Sequence, residues 1–195
     1  MVKPVIGPFP VEESSMAGTP WLWQPPEILS LPVSGSRMRA PVRRIFCVGR
    51  NYQAHALEMG DSIDKRSMQP FYFLKDASSL VLSGAEVPYP PATADYQHEL
   101  ELVVVLGSPG FRVTGSAAEA LVAGYAVGLD MTRRDLQSRA KELRRPWDLG
   151  KNVEQSAVCS AMVPADRVNA GRIPCAGAVT LRVNGQIRQH SDLSC

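Results

Sequence analysis

From Arg44 onward, apolar and polar positions alternate in short blocks separated by glycine, proline and asparagine, the spacing of strands rather than of long helices. "RIFCVG" predicts a strand closing at Gly49, and the aromatic run "PFYFLK" predicts another ending at Lys75. Between them "NYQAHALEMG" reads as one or two helical turns, with Asn51 as N-cap and Gly60 as stop. The proline-rich "PYPPATADY" excludes a helix and predicts an extended loop, which delivers the chain into the apolar strand "HELELVVVLG". "SAAEALVAGY" has helical composition, and "AVGLDMT" suits a buried strand ending at Asp130. "RRDLQSRAKELR" predicts a helix with Leu136 and Leu143 one heptad apart and charges elsewhere. In "VTLRVNGQIRQ" the Asn184-Gly185 pair between alternating residues predicts a type I′ hairpin. Upstream, turn formers interrupt every apolar run. Residues 1–40 are expected to form an irregular proline-rich arm that packs Trp21 and Trp23 somewhere, with "RMRAPVRR" (residues 37–44) as a solvated connector.

Strands with scattered short helices, and no regular alternation of the two, argue for a β-rich α+β fold over a Rossmann-type domain. No internal repeat divides the 195 residues, so one main domain is expected over residues 41–195. A net charge of +2 without a basic cluster argues against nucleic acid as partner. No apolar run approaches the roughly 18 residues of a membrane span, and the N-terminus lacks the continuous apolar stretch of a secretory signal. Cys47, Cys159, Cys175 and Cys195 form no CxxC pair and no zinc-like spacing, so free thiols in the cytoplasm are expected.

Candidate chemistry gathers around "DYQHELELVV". In a regular strand Glu99 and Glu101 would share a face about 6.6 Å apart along the chain. Two carboxylates on a partly buried face repel each other and lose hydration unless a cation compensates. On spacing alone, a solvated face and a cation site both remain open. Asp130 at a strand end would add a third oxygen ligand, and such a set suits Mg²⁺, Mn²⁺ or Ca²⁺ rather than zinc. His98 would face away and reads as structural. In "GRNYQAHALE", His55 and Glu58 at i, i+3 would share a helix face, an arrangement able to activate water near neutral pH. Lys151, in "DLGKNVEQSA", is a candidate fixed positive charge near a substrate oxyanion.

The ordered series "FCVGRNYQAHALEMG", "PFYFLKDASSLV", "YPPATADYQHELELVVVLG", "GYAVGLDMTRRDLQ" and "RRPWDLGKNVEQSA" resembles the fumarylacetoacetate hydrolase family, and the likeness covers roughly residues 27–194. It implies a mixed β-roll or sandwich with short helices, a homodimer, and a Mg²⁺- or Mn²⁺-dependent site for a small 2-oxo acid. It implies metal ligands at Glu99, Glu101 and Asp130, a water-activating dyad at His55 and Glu58, oxyanion stabilisation by Lys151, and substrate contacts from Arg134 and Gln137. The implied reaction is hydrolysis of the carbon–carbon bond of an acylpyruvate. Narrower likeness in "LPVSGSRMRAPVRRIFCVGRNY" and "DMTRRDLQSRAKELRRPWD" implies fumarylpyruvate, cleaved to fumarate and pyruvate in gentisate breakdown. Decarboxylation or isomerisation of a related acid on the same fold, and an inactive remnant, are the alternatives. The chain departs from the family pattern at Asp76, where proline is usual, and at Asn152, Val153 and Glu154 after the lysine. It is also expected to lack the C-terminal part of the fold, having only eight residues after Ile187 where the family continues for several tens.

Overall fold

A computed structural model describes residues 20–49, 69–169 and 172–194. In chain order the strands and helices are β1 (Ser30–Pro32), β2 (Arg39–Pro41), β3 (Ile45–Gly49), β4 (Phe71–Lys75), β5 (Leu80–Leu82), β6 (Tyr96–Gln97), β7 (Leu100–Leu106) and α1 (Ser116–Glu119). There follow β8 (Val122–Asp130), β9 (Thr132–Arg133), α2 (Arg134–Glu142), α3 (Asp148–Lys151), β10 (Ala157–Cys159), β11 (Val163–Pro164), β12 (Ala178–Val183) and β13 (Gln186–Asp192). Among the described residues, short strands and three brief α-helices make the β-rich α+β fold that the pattern predicts.

The organising element is β8, whose near-continuous apolar sequence is paired on both edges. Antiparallel β7 lies along one edge, with Leu100 opposite Leu129 and Glu101 opposite Gly128. Along the other edge run β10 and then β11, and β10 pairs in parallel with β5. The core cluster of Leu31, Val33, Ala126, Cys159 and Met162 packs against this sheet. The two edges bring the end of β8 beside the start of β10, with Asp130 opposite Ala157, so that Asp130 opens into the site described below.

Four expectations are corrected here. Residues 30–41 are not irregular: β1 and β2 form a hairpin and Leu31 and Val33 enter the core, while the arginines of "RMRAPVRR" stay exposed as expected, with Arg39 opening β2. Backbone hydrogen bonds from Met162 N to Pro32 O (2.8 Å) and from Ser34 N to Met162 O (2.8 Å) hold this hairpin to the sheet. Trp21 and Trp23 do not pack; both are exposed, at 61% and 73%. The "SAAEALVAGY" helix stops after one turn, because Val122–Tyr125 joins the ladders of β7 and β11, which override local helical preference. The face that α2 buries is Arg134 and Gln137 rather than a leucine stripe, and Leu143 is exposed. The hairpin β12–β13 forms as expected, with positive φ at Asn184 (50°) and Gly185 (79°), the signature of a type I′ turn.

Candidate active site

Glu99 lies one residue before β7, not within it, so it does not continue the Glu101 side of a regular strand. Its backbone still accepts from Asp130 N (2.8 Å), which locks the two acidic positions across the β7–β8 pair. Both side chains are buried, at 6% and 7% exposure. They converge on the Lys151 ammonium, which donates to Glu99 Oε2 (2.6 Å), Asp130 Oδ2 (2.9 Å) and Thr132 Oγ1 (2.8 Å). Lys151 is 1% exposed and closes the last turn of α3, where its ammonium also stands 4.9 Å from the Phe73 ring centroid. A cation stacked on a ring face gains from the quadrupole while it is out of water.

A second buried lysine completes the cluster. Lys75, at the end of β4, places its ammonium 2.9 Å from Asp130 Oδ1 and donates to Met131 O (3.0 Å), Ser156 Oγ (2.9 Å) and Lys151 O. Burial pushes the Lys75 pKa down, and the Asp130 carboxylate opposes that shift. On the far side Arg134 opens α2 and spends its nitrogens on protein oxygens: Glu99 Oε1, Gln137 Oε1 and Gln97 Oε1 (3.0 Å for the last). Gln137, 2% exposed, lies under α3, where a Cβ on Gly150 would stand 2.8 Å from the Gln137 backbone nitrogen. That missing side chain lets α3 settle on α2 and brings Lys151 to Glu99.

Glu101 belongs to the same electrostatic neighbourhood. Burial first, and then the Asp130 and Glu101 carboxylates, hold the Cys47 thiol up at about 12 against the pull of Lys75 and Lys151. All four charged groups therefore act on one thiol. Cys47, Cys159 and Cys175 are free, as expected.

The structure thus brings together Glu99, Asp130, Lys151, Arg134 and Gln137, while Glu101 stands opposite Gly128 in the β7–β8 pair. His55 and Glu58 lie outside the described residues. Sequence reading missed Lys75, Thr132, Ser156 and Gln97. The signal for Lys75 was a lysine closing an aromatic strand; for the three neutral side chains the sequence carries none. Two departures from the family pattern meet here: Asp76, lacking the usual proline ring, has an N–H, and it donates to Asn152 Oδ1 (2.7 Å).

Among the described residues no three acidic, histidine or cysteine side chains gather as ligands around one point. The donor chemistry nonetheless fits a hard divalent cation: buried carboxylate oxygens of Glu99 and Asp130 already converge on a positive centre, with Glu101 adjacent.

Buried carboxylates and cations at the end of a central strand of this β-rich fold define a family. Residues 44–194 match the family described as the fumarylacetoacetate (FAA) hydrolase C-terminal domain, and the chain belongs to that enzyme family. It is 50% identical to a fumarylpyruvate hydrolase of Ralstonia sp. over 135 residues, 69% of this chain and 68% of the relative. It is 39% identical to the mitochondrial oxaloacetate tautomerase FAHD1 of Bos taurus over 78% of this chain and 66% of that one. The crystal structure of fumarylpyruvate hydrolase from Pseudomonas aeruginosa in complex with Mn²⁺ and pyruvate superposes with a TM-score of 0.82 at 44% identity, covering 89% of this chain and 74% of that one. The chain thus spans about two thirds of the length of the curated relatives it matches. Among the described residues no helix is long and apolar enough to cross a membrane.

Proposed function

We propose that the chain hydrolyses the carbon–carbon bond of an acylpyruvate, with fumarylpyruvate cleaved to fumarate and pyruvate. The observation that carries this reading is the convergence of buried Glu99 and Asp130 on the Lys151 ammonium, with Arg134 on the other oxygen of Glu99. Glu99, Glu101 and Asp130 are the residues that would hold Mg²⁺ or Mn²⁺. Bound there, the ion supplies Lewis acidity to the 2-oxo acid end of the substrate.

The rest of the reaction falls to the chain's own groups. His55, oriented by Glu58, takes a proton from water, and the remaining hydroxide adds to the distal carbonyl carbon. Lys151 stabilises the negative charge that develops on that carbonyl oxygen. The carbon–carbon bond then breaks, its electron pair leaves on the pyruvate fragment, and that carbon is protonated. An incoming carboxylate competes with Gln137 Oε1 for Arg134 Nη1 and so holds the substrate. Charge favours a dianion: Lys75, Lys151 and Arg134 already balance Glu99, Glu101 and Asp130, so a divalent ion leaves two positive charges for the substrate to meet.

The deciding experiment follows the acylpyruvate chromophore with purified protein, Mg²⁺ or Mn²⁺, and again with EDTA. Metal-dependent release of fumarate and pyruvate is the expected result. The 39% identity to oxaloacetate tautomerases favours a second reading, a reaction of oxaloacetate at the same site. Turnover of oxaloacetate with no loss of fumarylpyruvate would replace the first reading with the second.

A further inference from the structure

We propose that Lys75 is a positioning residue of this site: its ammonium, 2.9 Å from Asp130 Oδ1, holds that carboxylate by charge alone and leaves Oδ1 without a hydrogen-bond partner, while Oδ2 takes the bond from Lys151. The inference rests on the reading of Asp130 as part of the reacting centre. An ammonium has three protons to give, and here they go to Met131 O, Ser156 Oγ and Lys151 O, so that Asp130 Oδ1 is met by charge and not by a hydrogen bond. Those oxygens come from the end of β8, the end of α3 and the turn before β10, the three segments that carry or flank the site. Lys75 thus ties the carboxylate of Asp130 to the backbone of Lys151, whose own side chain returns to Asp130 Oδ2 (2.9 Å).

Packing does not require a charge here. Replacing a whole buried ion pair with apolar side chains of similar volume is often neutral or even stabilising, so stability is a poor explanation for building an ionic cluster here, the 2%-exposed Lys75 included. What an apolar side chain cannot do is hold the Asp130 carboxylate by charge, tie it to the backbone of Lys151, and still leave Oδ1 open. Ser156 supports the arrangement: at 0% exposure, its hydroxyl donates to Val153 O (2.6 Å), which leaves an oxygen lone pair for the Lys75 ammonium.

The test uses Lys75→Met and Ser156→Ala in the full chain. Mn²⁺ affinity is read from the electron paramagnetic resonance signal of free Mn²⁺, without substrate, and kcat and KM are measured separately. Lys75→Met should weaken Mn²⁺ about tenfold or more, as loss of a group that orients a metal ligand does elsewhere, and lower kcat with little change in KM. Ser156→Ala should shift the same quantities in the same direction by less. Wild-type Mn²⁺ affinity and kcat in a folded Lys75→Met protein would overturn the proposal, whatever its melting temperature. If Lys75→Met does not fold, Ser156→Ala decides: weakened Mn²⁺ supports the proposal and unchanged Mn²⁺ overturns it. Mn²⁺ binding by the wild type without acylpyruvate turnover would sink the hydrolase reading alone.

Discussion

Removing the Asp130 carboxylate would leave the buried ammonium groups of Lys75 and Lys151 without the counterion they share. Breaking a buried pair from one side costs about 3–5 kcal/mol, because the surviving charge stays out of water. Asp130→Ala should therefore lower the unfolding free energy of metal-free protein, read from urea denaturation, by an amount of that order, besides abolishing turnover. A variant with wild-type stability would show that water reaches the cluster. The same logic assigns Arg134 a double part. It pairs with Glu99 and is itself held by Gln97 and Gln137, so it shapes an acidic side chain before it meets any substrate.

Two contacts between elements decide whether Lys151 arrives. One is the seat of α3 on α2 at Gly150. An alanine there meets Gln137 backbone at 2.8 Å, closer than real Cβ contacts, and backbone cannot swing aside. Gly150→Ala should cost on the order of 1–3 kcal/mol as overpacking does, and lower kcat by displacing the Lys151 ammonium. A combined melt and steady-state assay checks both. The other is the bond from Asp76 N to Asn152 Oδ1, which ties the end of β4 to the residue after Lys151. Asp76→Pro and Asn152→Ala each remove it, so the double variant should be less destabilised than the sum of the singles, as a double-mutant cycle in urea would show. Additive losses would mean the bond contributes nothing.

The start of α2 is anchored differently. Asp135 accepts from Thr93 Oγ1 and from Ala94 N (3.0 Å), fastening the proline-rich loop to the helix that carries Arg134. The Thr93 hydroxyl, then the Ala94 N–H, hold the Asp135 carboxyl below its ordinary 3.8. A depressed carboxyl stabilises the fold fully above its unfolded value, and that stability is lost as pH falls through the folded one. Wild type should therefore melt above Asp135→Ala near neutrality, and the two curves should approach each other below about pH 3.9. Parallel melting curves across that range would refute the linkage.

For the whole molecule, a bound divalent ion is stabilising wherever it binds the folded chain and not the unfolded one. Mn²⁺ at a hundred times its dissociation constant should add about 2.7 kcal/mol, seen as a rise in melting temperature that EDTA reverses. No shift at millimolar Mn²⁺ would count against a formed metal site.

The sequence by itself determined the period-two strands, the Asn184-Gly185 turn and the acidic and basic residues of the site, because alternation, turn chemistry and residue type are local properties. Residue type and strand pattern singled out Glu99, Asp130 and Lys151 as candidates, whereas Arg134 and Gln137 came from the family resemblance alone. Only the tertiary structure decided that Glu99 stands outside its strand, that "LVAGY" is ladder rather than helix, and that the 30–41 hairpin enters the core. Each of those outcomes depends on a partner distant in the chain: Asp130 for Glu99, β7 and β11 for Val122–Tyr125, and Met162 for Pro32 and Ser34. The same holds for Lys75 and Ser156, separated by 81 positions in sequence yet joined through one ammonium, a proximity that no local pattern encodes.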